Sequence, residues 1–114
     1  MTFRLKLFRT AVREVDHILN WLLCERQSPA GARAWQLAYE RAIQKLRASP
    51  ERQPLAPEND SADFEVRHLL FKTRHGRPYR LIFTIVGHEV RVLHVRGPGQ
   101  DLVPPDRLVA GEGT

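Results

Sequence analysis

The stretch that decides the fold is residues 64–97, which read FEVRHLLFKTRHGRPYRLIFTIVGHEVRVLHVRG. Tyr79 to Val86 and Glu89 to Val95 are rich in β-branched residues, and Gly87-His88 lies where a tight turn would join them. Phe64 to Phe71 is typical of another strand, although its apolar residues fall on both faces and leave the register open. The stretch therefore predicts a meander of three strands.

The same stretch carries the net charge of the chain. It holds seven Lys or Arg and two Glu, an excess of five that equals the formal charge of +5 for all 114 residues. The basic and acidic residues elsewhere cancel. Because clustered cations create a field that attracts phosphate or an acidic partner, we expect a basic β-sheet with a binding role.

The N-terminal half predicts one strand and two helices. Apolar and basic residues alternate from Phe3 to Phe8, which is the pattern of a half-buried strand. Apolar stripes with three- and four-residue spacing then predict a helix over about residues 11–25, capped by Thr10. A second helix begins at Ser28-Pro29 and is stopped by Ser49-Pro50.

The predicted order β-α-α-β-β-β indicates an α+β fold. A helical hairpin would pack on one face of a small, mainly antiparallel sheet and leave the other face free. Depending on the register, that free face would carry Arg67, Arg80, Arg91 or Arg96. We expect a single domain over residues 1–97 and a Gly/Pro-rich, loosely ordered tail over residues 98–114.

Composition argues against several classes of protein. A single cysteine, Cys24, cannot form an internal disulfide, and the five histidines lack zinc-site spacing, so we expect neither a metal nor a cofactor. No run approaches the ~20 apolar residues of a membrane span. The charged start MTFRLKLFRT differs from a signal peptide. These features predict a cytoplasmic protein that does not associate with a membrane.

Several groups of residues, taken in order and with their spacing, carry a resemblance to a known family. The opening strand runs into a helix with Ala11, Asp16, Ile18 and Trp21, and the second helix ends with Ala42, Ile43, Leu46 and Pro50. The strands contribute Arg67 and Leu69; Gly76, Tyr79, Arg80, Leu81, Ile82 and Phe83; and Val90, Val92, Leu93, His94, Val95 and Arg96. Over roughly residues 3–96, the chain resembles the RelE/ParE family of bacterial type II toxins, also known as plasmid stabilisation proteins.

The resemblance implies a growth-inhibiting toxin that a cognate antitoxin neutralises, with operator DNA contacted only through the antitoxin complex. Two targets are implied. RelE-like members cut messenger RNA on the ribosome without a metal, whereas ParE-like members inhibit DNA gyrase and are not nucleases. A toxin fold that has lost activity and binds only its antitoxin or DNA is a third possibility.

A nuclease would need a base, an acid and cations around the reacting phosphate. Arg80 is the main candidate cation, because it matches the arginine of the family's Tyr-Arg strand, and Arg67 is a further candidate. His94 is the candidate acid or base, since an unperturbed histidine titrates near neutrality. The alternative is that His94 is a partly buried strand residue bonded to the backbone.

The end of the last strand departs from the RelE pattern. Many RelE-like nucleases resemble one another in a tyrosine or histidine just beyond that strand, where this chain has Gly-Pro-Gly-Gln-Asp at residues 97–101. No tyrosine follows Tyr79. This departure slightly favours ParE-like inhibition of gyrase over RNA cleavage.

The remaining basic residues are candidates for binding a target or a nucleic acid. They are Lys72, Arg74 and Arg77 in a predicted hairpin loop, with Arg91 and Arg96 on the last strand. The alternative for the loop is an ordinary solvated turn. Trp21 and Trp35 lie in or beside apolar helix stripes, so we expect them to serve packing rather than base stacking.

Overall fold

The computed structural model of the chain describes residues 2–112. Its helices and strands follow in the order β1 (Arg4–Leu7), α1 (Arg9–Asn20), α2 (Pro29–Ala48), β2 (Arg67–Phe71), β3 (Tyr79–Val86) and β4 (Glu89–Arg96). The predicted α+β class and element order are confirmed.

One four-stranded sheet has the order β1-β4-β3-β2. The strands β2, β3 and β4 form the predicted antiparallel meander, and β1 pairs in parallel with β4, with Leu5 opposite Val90. Phe83 pairs with Val92 and Ile82 with His94, which leaves Leu93 as the extra residue of a β-bulge. The bulge lies where β4 passes the C-terminal end of β1.

The two helix starts differ in how they are capped. Ser28 caps α2 as predicted, because its Oγ accepts a hydrogen bond from the Gly31 N–H at 3.0 Å. The predicted cap of α1 is wrong: Phe8 occupies that position without a side-chain hydrogen bond, and Thr10 lies inside the first turn. The regular part of α1 ends at Asn20, and a wide turn over Trp21–Glu25 continues it.

The main core lies between the helical hairpin and one face of the sheet. Trp35 and Leu46 from α2 pack with Leu81 and Phe83 from β3, and all four are at most 3% exposed. Apolar side chains of β4 complete this layer. The contact between helices and sheet is thus the one that the apolar stripes predict.

The other face of the sheet is covered, so the expectation of a free face is wrong. Ile82 on this face is completely buried in a second core with Ala56, Val66, Val103 and Leu108. The physical reason is that β3 is apolar on both faces, and exposing the second row would leave it in water. Val66 belongs to this second core rather than to a strand, and β2 accordingly begins at Arg67 instead of Phe64.

The C-terminal residues supply part of that cover. We call residues 98–112 the C-terminal strap; its Val103 and Leu108 are 2% and 6% exposed. The Arg91 Nη1 donates to the Ala110 carbonyl at 2.7 Å, and the Arg9 N–H donates to the Glu112 carboxylate at 2.7 Å. The strap therefore packs on the domain over its described length, which corrects the expected separation of a loosely ordered tail at residue 98.

Between residues 2 and 112, neither helix is long and apolar enough to cross a membrane.

Candidate functional site

The candidate catalytic cation, Arg80, is 16% exposed and is held in an ion pair with a fully buried carboxylate. Strand β3 places Arg80 on the sheet face that the strap covers, and its Nη1 and Nη2 donate to the two Glu58 carboxylate oxygens at 2.9 and 2.8 Å. Glu58 comes from the short helical turn Pro57–Ser61, and its side chain is 0% exposed. The Val103 N–H of the strap donates to the same carboxylate at 3.0 Å.

These contacts keep Glu58 ionised. Desolvation by burial raises the pKa of Glu58, but the hydrogen bonds from Arg80 and from Val103 outweigh it, and the pKa falls from 4.5 to about 2. At neutral pH the pair is therefore a carboxylate and a guanidinium joined by two charge-assisted hydrogen bonds, which is the strongest geometry for this pair.

A histidine extends the cluster. The Nδ1 of His68 on β2 lies 3.2 Å from the Arg80 Nη1, and since a guanidinium has only donors, this nitrogen accepts the bond. Burial, followed by the charge of Arg80, lowers the pKa of His68, so the ring is kept neutral beside the cation. The fork of Arg80 is thus occupied by partners from two neighbouring segments.

The candidate acid or base, His94, is also enclosed. It is 3% exposed, its Nε2 lies 3.0 Å from the Arg107 carbonyl of the strap, and its Nδ1 lies 3.2 Å from the Glu14 carboxylate of α1. The same Glu14 oxygen accepts the Val95 N–H at 2.9 Å, where β4 extends beyond its pairing with β1. This geometry matches the alternative of a buried strand histidine bonded to backbone, and the catalytic role stays a prediction.

The other predicted arginines of the sheet have local partners as well. The Arg67 Nε donates to Glu65 at 2.9 Å, and its Nη1 donates to the Gln53 carbonyl. The Arg91 Nε donates to Glu89 at 2.6 Å. Arg96 differs, because its buried Nε has no hydrogen-bond partner within the described part of the chain.

The predicted binding loop is exposed to solvent, in contrast to the partnered arginines of the sheet. Lys72, Arg74 and Arg77 are exposed between β2 and β3. Arg77 stands at the rim of a cleft of about 420 Å³ that separates this loop from the turn joining α1 to α2. Trp21 lines the cleft and is 41% exposed, contrary to the packing role that we expected, whereas Trp35 is 3% exposed as expected.

Sequence reasoning did not identify Glu58 or Glu14, the two carboxylates that organise this face. Glu58 lies in a loop of mixed polar residues 22 positions before its arginine, and Glu14 lies 80 positions before His94. Neither spacing forms a motif. The sequence held one signal. Arg80 and His94 both lie on strands with apolar residues on two faces, and this pattern predicts burial.

Comparison with solved structures identifies a protein with the same fold. The chain shares its fold with a protein of the chromosomal ParDE TA system from P. aeruginosa, at a TM-score of 0.59 and 18% identity. The match covers 83% of this chain and 95% of that one. Significant matches to curated proteins were not found.

The family follows from the sequence match. The model of the ParE toxin of the type II toxin-antitoxin system, parDE, matches residues 5–102. The chain belongs to this ParE toxin family, which confirms the RelE/ParE resemblance. It is therefore a toxin component of a type II toxin–antitoxin system, and a cognate antitoxin is its partner. The match includes the first residues of the strap.

Proposed function

We propose that this toxin acts by binding DNA gyrase and that it does not cut messenger RNA. The observation that carries the proposal is the buried, bidentate ion pair of Arg80 with Glu58 beneath the C-terminal strap. The residue that would stabilise a reacting phosphate has both Nη atoms bonded to a buried carboxylate, on a sheet face that other parts of the chain largely cover.

Freeing Arg80 for a phosphate would be costly. Removing one partner of a buried ion pair leaves the other charge uncompensated, which costs about 3–5 kcal/mol. RNA would also have to displace Val103 and Leu108, which are buried against this face. RNA binding would have to offset both the broken ion pair and the displaced apolar contacts. This face is therefore poorly suited to nuclease chemistry.

Proton transfer is also poorly provided for. Both ring nitrogens of His94 face oxygen atoms of the protein, and no tyrosine follows Tyr79. Each missing proton-transfer group typically costs about 10²- to 10⁴-fold in rate. Inhibition of gyrase by binding needs no such group, and this difference supports the ParE-like mechanism.

The antitoxin is expected to be acidic or amphipathic where it meets the toxin. The chain carries a formal charge of +5, and complementary charge speeds association and disfavours wrong partners. Operator DNA would then be reached through the antitoxin complex. Ribosome-bound messenger RNA is the competing target. Parallel assays of gyrase supercoiling and transcript cleavage distinguish the two targets.

The test measures both activities with one preparation. Purified toxin is added to a gyrase supercoiling assay and, in parallel, to translating ribosomes whose messenger RNA is mapped for cuts. We expect loss of supercoiling and intact transcripts, with DNA-damage reporters induced when the toxin is expressed without its antitoxin. Ribosome-dependent cuts with unaffected gyrase would establish a RelE-like nuclease instead, and unimpaired growth with neither effect would indicate an inactive toxin fold.

A further inference from the structure

A cleft at one end of the molecule has the features of a ligand site, and nothing in the toxin mechanism uses it. We call it the aromatic cleft. It has a volume of about 420 Å³, within the usual range for sites of small organic ligands. Trp21, Arg26 and Ser28 line it on the helical side, Arg77 and Tyr79 on the sheet side, and Trp35 lies between them.

The exposed aromatic surface of the cleft comes mainly from Trp21, because Trp35 is 3% exposed and stacked on Tyr39. Trp21 is 41% exposed, although a tryptophan buries more apolar surface than almost any other side chain when packed. Trp35 stands edge-on to Tyr79 with ring centroids 5.4 Å apart. Such faces bind flat, unsaturated groups by stacking, with little dependence on their identity.

One polar group inside this apolar setting lacks a partner. The Nε1 of Trp35 is buried and has no hydrogen-bond partner within residues 2–112, while its ring lines the aromatic cleft. Buried indole N–H groups usually find an acceptor. The atom has almost no accessible surface, so the ligand contact in the cleft is the exposed ring face of Trp21 rather than this donor.

The rim of the aromatic cleft is positively charged. The Arg26 guanidinium lies 5.5 Å from the centre of the Trp21 ring, and Arg77 faces the cleft from the β2–β3 loop. Helix α2 begins here, at Ser28, so its positive end adds to the field. None of the described residues that line the cleft is acidic. This combination suits an anion attached to a flat ring.

We propose that the aromatic cleft binds a nucleotide, with the base stacked on Trp21 and the phosphate at Arg26, Arg77 and the start of α2. A free mononucleotide and an unpaired nucleotide of a single strand present the same chemistry. The proposal does not depend on the gyrase mechanism, because neither Arg80, Glu58 nor His94 lines the cleft.

The test is calorimetric titration of the full-length protein. The probes are the nucleoside 5′-monophosphates, the matching nucleosides, inorganic phosphate, a short single-stranded oligonucleotide and an acidic peptide containing phenylalanine. Quenching of intrinsic fluorescence is a second readout, because both tryptophans of the chain line the cleft. We expect saturable binding of mononucleotides, with weaker binding of phosphate or nucleoside alone.

Three variants examine the parts of the site. Trp21→Ala should weaken nucleotide binding by about 5- to 150-fold, the range for losing one stacked base contact, while Leu37→Ala, another exposed apolar residue of the hairpin, should not change it. Arg77→Ala should weaken binding and lower its salt dependence, and Arg52→Ala serves as its control. Trp35→Phe keeps a ring in the enclosed floor of the cleft and should change nucleotide binding less than Trp21→Ala, and its melting temperature reports any loss of folding.

The outcomes separate the alternatives. Mononucleotide binding that falls with Trp21→Ala supports the proposal, and tighter binding of the oligonucleotide with the same dependence identifies a nucleic-acid strand as the source. Phosphate binding as tightly as a nucleotide overturns it, as does oligonucleotide binding that ignores Trp21. Binding of the acidic peptide without any nucleotide binding also overturns it and makes the cleft a protein-docking site.

Discussion

At the scale of single residues, Arg80 illustrates what a sequence can and cannot reveal. Its place on β3 follows from the β-branched residues of the strand and from the family's Tyr-Arg pattern. Its partner does not, because Glu58 lies in an irregular loop and the pairing depends on how that loop folds over the sheet. A surface ion pair contributes at most about 1 kcal/mol to stability. Because the Glu58 carboxylate is buried, substitution of Arg80 is expected to cost more.

We predict that Arg80→Ala lowers the free energy of unfolding by about 3–5 kcal/mol, because it strands a buried carboxylate. Growth inhibition should fall with the folded fraction, and more than in the exposed control Arg52→Ala. The double variant Glu58→Met/Arg80→Met removes both charges and should recover most of the stability. Urea denaturation measures all three. Unchanged stability in Arg80→Ala would show that the ion pair contributes little.

The pH dependence of stability should carry the signature of Glu58. Its pKa is about 2 in the folded protein against an ordinary value of 4.5. A carboxyl with a lowered pKa stabilises the fold fully above its unfolded value, and this contribution is lost as the pH falls from about 4.5 towards 2. Denaturation series over this range should show a steeper loss in the parent protein than in Glu58→Gln. Parallel curves would assign the acid sensitivity to other groups.

At the scale of elements, most of the fold could be predicted. The helical hairpin and the meander follow from periodicity, the Ser28 cap and the Gly87-His88 turn, because these are local signals. The strap was missed since Gly and Pro at residues 97–99 resemble a flexible linker, and nothing local shows that Leu108 returns to the sheet. The apolar residues on both faces of β3 were the sign that a second cover was needed.

The strap should contribute directly to stability. Leu108 is 6% exposed in the second core, so Leu108→Ala should lower the free energy of unfolding by about 2–5 kcal/mol, the usual cost for a buried leucine. Leu102 lies in the same segment but is 52% exposed, and Leu102→Ala should change stability by less than about 0.5 kcal/mol. Chemical denaturation compares the two. Equal effects would mean that the strap is not anchored through Leu108.

At the scale of the whole molecule, ion pairing redistributes the basic field of the chain. Three of the seven basic residues in 64–97, Arg67, Arg80 and Arg91, form salt bridges with Glu65, Glu58 and Glu89. The exposed cations of the loop between β2 and β3 supply most of the remaining positive charge of this stretch. A count of charges along the sequence assigns the positive field to the sheet. The sequence does not show which acidic residue pairs with each basic residue.

We therefore predict that the loop, more than the sheet, steers association with the antitoxin. Arg74→Glu should slow binding by about tenfold at low salt, whereas Arg52→Glu, the same charge change outside the basic segment, should have a smaller effect. Raising the salt from about 0.1 M to about 1 M shortens the Debye length from about 10 Å to about 3 Å and should abolish the difference. Stopped-flow or surface-binding kinetics provide the measurement. Equal slowing by the two variants, or a difference that survives high salt, would show that the loop does not set the steering field.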